Sequence, residues 1–143
     1  MQFNSDSEIS HIANGLINRT LPRSEWTHAA HWAAAVWLMH NDQHDPFKEM
    51  PDFIRAYNEA TGTPNTDSEG YHETITIASL RATKYAIKTS PADQPLYETV
   101  NKILASDLGQ PGWLFKHWSK DRLFSVHARK NWTEPDLAPL SFE

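Results

Sequence analysis

The sequence predicts an all-α protein, a helical bundle of four to five main helices followed by short C-terminal helices and an extended tail. Three observations carry this. Apolar residues recur at helical spacing in five successive stretches. Proline, glycine and small polar residues separate those stretches. No stretch alternates apolar and polar residues long enough to form a strand with a partner.

The first helix is expected over residues 5–19, capped by Asp6 or Ser7, with Ile9, Ile12, Leu16 and Ile17 on one side. Pro22 disfavours helix at Leu21 and makes a connector. A second helix is expected from Ser24, as N-cap, to His40. Its alanines (Ala29, Ala30, Ala33, Ala34, Ala35) favour helix and let neighbours approach closely. His28, Trp32, Ala35 and Met39 share one stripe with His31 and Leu38 on its edge, which predicts both histidines at the head of the core-facing side. The third helix covers about 46–61, with a break or restart at Pro51 and Gly62 just beyond its end. The fourth begins at Thr66, Asp67 or Ser68 and runs to Thr89, with Gly70 in its first turn. The fifth spans about 95–106. A short aromatic helix from Trp113 to Trp118 and a turn capped by Ser119 follow. The tail, about 132–143, is expected to pack on the body through Trp132, Leu137, Leu140 and Phe142.

The 143 residues show no internal repeat, so one domain, 1–143, is the natural reading. A hydrophobic content of 39 %, with six Trp and six Phe, supplies core volume and argues against disorder. The net charge of -5 comes without a block of like charges, so the footprint of a nucleic-acid-binding protein is missing. Cysteine is absent, which excludes disulfides and thiolate metal ligands. Trp32 to Met39 is too short to span a bilayer, and the N-terminus has neither a basic nor an apolar targeting segment. The expected location is the cytoplasm, with no membrane partner.

Short connections make successive helices antiparallel, so the starts of the second and fourth share one end of the bundle. His28 then lies four residues past Ser24 and His72 four past Ser68, at matching depth. His28 and His31, one turn apart, and His72 from across the bundle are expected to hold a divalent metal, zinc first and iron second. In His72-Glu73-Thr74-Ile75-Thr76, Glu73 takes the place of the base in the motif H-E-x-x-H, while Thr76 replaces its second histidine. Glu73 is thus the candidate general base, or else a carboxylate ligand. Thr76, Tyr57, Asn58 and Arg129 are the candidate substrate contacts, Arg129 for an anionic group.

The function this implies is a mononuclear metal-dependent enzyme, hydrolase-like, acting on a small substrate at one end of the bundle. Two alternatives stand beside it. One is a non-haem iron oxygenase using two histidines and Glu73. The other is a non-enzymatic module that binds metal, a small ligand or a protein; this reading predicts no solvent-accessible cavity beside His28 and His72. The plainest structural reading is a buried His–Glu hydrogen-bond network that fixes the bundle end. The alanine-rich face is compatible with a homodimer. No phosphate loop or dinucleotide fingerprint is present.

Several segments together carry a resemblance. They are Trp26-Thr27-His28 with His31, Tyr57 to Gly62, Gly70 to Thr76, Arg122 to Ser125, Ala128-Arg129, Trp132, and Glu134 to Leu140. In these the chain resembles a group of small uncharacterised bacterial helical proteins. The resemblance covers most of the chain and implies a common helical domain that includes the tail, but brings no reaction with it. A looser likeness, of architecture alone, is to DinB-like bundles that gather three histidines from separate helices; the ligand spacing differs, and fold does not fix function.

Overall fold

The middle of the molecule is α2, His28–His40, whose sequence is apolar on every side. A helix with no solvated face must be surrounded. In the computed structural model, which describes residues 2–142, α2 packs against four others: α1 (Asp6–Asn18), α3 (Pro46–Ala60), α4 (Glu73–Lys88) and α5 (Leu96–Ala105). The architecture is the expected all-α bundle, with five long helices and no strand among the described residues. Ala30, Ala33, Ala34 and Val36 of α2 are 0 % exposed. Small side chains at these positions let the neighbouring backbones come close.

Elsewhere the chain departs from expectation mainly where helices begin. Ser5, not Asp6 or Ser7, caps α1, its Oγ accepting the Glu8 N–H at 3.3 Å. The chain then folds back so tightly that a Cβ on Gly15 would lie 2.9 Å from that of Leu21. Ser24 does not start α2. It lies in a 3-10 turn, Arg23–Glu25, and Thr27 takes the capping role by accepting the Ala30 N–H at 3.1 Å. Helix α3 has Pro46 at its start and continues unbroken through Pro51, which costs it one intrahelical bond. Gly62, with φ of 86°, follows its end as expected.

The expected early start of α4 is corrected by a single side chain, Asn65. Its Oδ1 accepts from the Asn58 amide at 3.1 Å and the Tyr71 N–H at 3.0 Å, and its own amide donates to the Arg55 carbonyl at 3.1 Å. These bonds hold residues 61–72 as a loop. Gly70 there has φ of 84°, and a Cβ on it would meet the Pro64 carbonyl oxygen at 2.4 Å. Helix α4 starts only at Glu73, with His72 as N-cap.

Beyond α5 the chain makes a 3-10 turn, Asp107–Gly109, then a longer 3-10 segment, Pro111–Lys116, where a short helix was expected over 113–118. Two short helices follow, α6 (Lys120–Leu123, capped by Ser119) and α7 (Val126–Lys130). The tail lies along the body. Fully buried Trp118 donates its indole N–H to the Thr133 carbonyl at 2.9 Å, and the Leu137 N–H donates to the His117 carbonyl at 2.9 Å. The hydroxyl of buried Thr74 sits within 2.8 Å of the Ala128 and Asn131 carbonyls and accepts the Thr133 N–H, tying α4, α7 and the tail together. At the other end of the chain, Phe3 and Asn101 exchange two hydrogen bonds, 98 residues apart.

No helix is long and apolar enough to cross a membrane among the described residues. Enlarging an enclosed alanine on α2 should be poorly tolerated. Ala33→Leu adds three carbons where helices touch and is expected to cost about 1–3 kcal/mol of stability, read as a lower denaturant midpoint with unchanged helical circular dichroism.

Candidate functional site

Because α2 begins at His28, His28 and His31 fall in the first turn, above the core rather than on a core-facing stripe. Both are exposed. They stand at the head of a cavity of about 380 Å³ enclosed by α2, α3, α4 and the 3-10 segment Pro111–Lys116. Trp32, Met50, Ile54, Leu80, Trp113 and Leu114 make much of its wall. Its polar lining among the described residues is His28, His31, Thr76 and Ser79, with no carboxylate, lysine or arginine.

The partners of each imidazole fix its tautomer. The Trp32 indole N–H, which only donates, lies 3.3 Å from Nε2 of His28. Nε2 must therefore carry the lone pair, and in the neutral ring Nδ1 carries the proton. His31 is the reverse. Its Nδ1 lies 2.7 Å from the Thr27 carbonyl, which only accepts, so Nδ1 is protonated and Nε2 holds the lone pair. The His31 ring stacks on buried Trp26 with centroids 3.8 Å apart. Crowding by protein around the ring pushes its pKa well below the ordinary imidazole value, and His28 and Arg23 add smaller repulsions against the upward pull of the Thr27 bond. Water still reaches the ring from the cavity mouth and moderates the shift. Its direction keeps His31 neutral at pH 7.

His72 is used up by the fold. As N-cap of α4 it accepts the Ile75 N–H on Nδ1 at 3.2 Å, and its Nε2–H donates to the Leu123 carbonyl at 2.7 Å. It is buried, and burial lowers its pKa, with Arg129 as a lesser contributor against the bond to Leu123. In this arrangement both ring nitrogens of His72 are bonded to backbone, and the Nε2 lone pair of His28 is taken by Trp32. Of these three imidazoles, His31 alone has a lone pair with no protein partner among the described residues. No group of three or more His, Asp or Glu side chains that could hold an ion is gathered among those residues. The physical reason is helix register: with His72 at the cap rather than a turn inside α4, its ring serves backbone groups.

The remaining candidates separate. Thr76 lines the cavity. Glu73 does not; it accepts the Tyr71 hydroxyl at 2.5 Å. Burial first, and Glu73 second, raise the Tyr71 pKa, while Arg55 lies over the Tyr71 ring at 4.3 Å. Tyr57 is fully buried and donates to the Leu21 carbonyl at 2.7 Å. Asn58 joins Arg23 at 3.0 Å to Asn65. Neither lines the cavity. Arg129 donates to the Gly70 and Tyr71 carbonyls at 3.1 and 3.4 Å, so it clamps the loop before α4, and its buried Nε has no hydrogen-bond partner among the described residues. Asp136 does not pair with it. Asp136 accepts instead from the Ser119 N–H and hydroxyl, which lower its pKa.

Sequence reasoning missed Ser79, Met50, Ile54 and the wall formed by Pro111, Trp113 and Leu114. A signal existed in Gly109. A Cβ there would lie 1.9 Å from the Leu104 carbonyl oxygen, so only glycine lets the chain turn back over the end of α5 and bring the tryptophan to the cavity.

No protein-family model, curated protein or solved structure matches the chain.

Neutral His72 gives a testable pH dependence. Its pKa is depressed in the fold, so the unfolded chain binds more protons below the ordinary value of 6.5. Its contribution to stability is complete above that pH and is lost as the pH falls. His31 acts in the same direction. His72→Asn keeps a capping side chain but loses the bond to Leu123. We expect it to cost about 0.5–1.5 kcal/mol at pH 8 and to unfold with a shallower pH dependence below 6.5 than the parent, measured by urea titration across pH 4.5–8.

Proposed function

We propose that the protein binds a small, largely apolar molecule in the cavity between α2, α3, α4 and the 3-10 segment. The observation that carries this reading is the lining of the cavity. Walls come from four elements, most of the surface is apolar, and a few polar side chains interrupt it. Such a composition is typical of ligand sites, whose volumes run roughly from 300 to 1,000 Å³. A cavity beside His28 also speaks against a plain interaction domain, which has no use for one.

Hydrolysis or oxygen chemistry at a zinc or iron centre is the weaker reading, because His72 has both ring nitrogens bonded to backbone and the lone pair of His28 is taken by Trp32. Elemental analysis of protein purified without an affinity tag separates the two. We expect well under one zinc or iron per chain, unchanged by His72→Ala. One ion per chain, lost in both His28→Ala and His72→Ala, would restore the metal centre.

Binding itself is tested by filling the cavity. Ala35 is 2 % exposed and borders it. Trp32 and Trp113 supply an intrinsic fluorescence signal within its wall. An apolar aromatic probe, 4-ethyltoluene, should change tryptophan emission saturably in the parent. Ala35→Leu should weaken that binding at least about tenfold. Equal binding in both proteins, or none in either, would count against this site.

A further inference from the structure

We propose that the head of the cavity selects its ligand by hydrogen-bonding pattern, favouring a neutral molecule with an acceptor and a donor side by side, such as a carboxamide or lactam, on an apolar body. This rests on the cavity being a binding site, as proposed above.

His28 and His31 hold opposite tautomers. Neither is a free choice. An indole N–H can only donate, so His28 is held with its proton on Nδ1. A backbone carbonyl can only accept, so His31 is held with its lone pair on Nε2. The two residues are three apart on one helical turn and therefore neighbours. One offers a donor and the other an acceptor, and both line the same cavity. The Trp26 stack and the Thr27 bond fix the His31 ring, so its acceptor is set before any ligand arrives.

The rest of the lining narrows the class. No charged side chain borders the cavity among the described residues, so a ligand charge would have no counter-ion. A carboxylate offers acceptors alone and would face the His31 lone pair. An ammonium offers donors alone and would face the His28 N–H. A hydrocarbon offers neither group a partner. An amide edge satisfies both. His31 stays neutral at pH 7, as required, because the protein packed around its ring disfavours its protonation.

The test compares three probes with one body, 4-ethylbenzamide, 4-ethylbenzoate and 4-ethyltoluene, by calorimetric titration at pH 7.5. The expected order places the amide at least tenfold tighter than the other two. His31→Phe and His28→Phe, each at an exposed position and checked for parental circular dichroism, should bring the amide down to the affinity of the hydrocarbon. They should leave hydrocarbon binding within about twofold of the parent. Equal affinity for amide and hydrocarbon, or an amide preference that survives both substitutions, would overturn the selectivity proposal while leaving the cavity as a binding site. No binding of any probe, with Ala35→Leu indistinguishable from the parent, would overturn the site itself.

Discussion

The structure depends on enclosing α2. A helix without a polar face has no stable place at a surface, and here four helices pack around it. Its alanines set how closely those neighbours approach, and fully buried Ala30, Ala33 and Ala34 leave no room for larger side chains without displacing a backbone. At the N-terminal end the first turn escapes enclosure. Its backbone N–H groups need a cap, which Thr27 supplies, and its two histidines project beyond the packed section. The cavity forms where α2 stops being surrounded. Larger residues of α3, α4 and the 3-10 segment, Met50, Leu80 and Trp113 among them, stand across from its N-terminal turns.

Within this frame, hydrogen-bond chemistry distinguishes three histidines that look alike in the sequence. His72 serves backbone on both sides and behaves as a structural residue. His28 and His31 each give one nitrogen to the protein and keep the other. The same accounting explains Glu73 and Arg129. Each is polar and near the start of α4, yet each holds the loop or helix in place: Glu73 through Tyr71, Arg129 through the carbonyls of Gly70 and Tyr71.

How much of this was legible follows from the range of the signals. Five long helices could be read because periodic apolar residues and Pro or Gly boundaries are local features. The neighbourhood of His28, His31 and Thr76 was legible too, since antiparallel packing places the starts of α2 and α4 at one end. The starts of α2 and α4 were misread by several residues; for α4 the deciding contacts are side chains that reach across the chain. Asn65 holds as a loop a stretch that local pattern assigns to helix. That shift moves His72 to a cap position and removes it from the expected ligand set. The wall at Trp113 was hidden for a similar reason: it arrives through a return of the chain over α5 that local periodicity does not encode.

The reciprocal bonds between Phe3 and Asn101 have a consequence for how the molecule is made. Synthesis runs from the N-terminus, so α1 and α2 leave the ribosome well before α5, the partner that Phe3 requires. Until α5 emerges, the apolar perimeter of α2 lacks one of its four neighbours. The nascent chain therefore carries an uncovered oily flank until α5 has been made, and closure around α2 waits for it. A helical protein of this size has mostly local contacts, which favours rapid folding once complete. Its period of vulnerability to association is set by translation and not by the folding reaction.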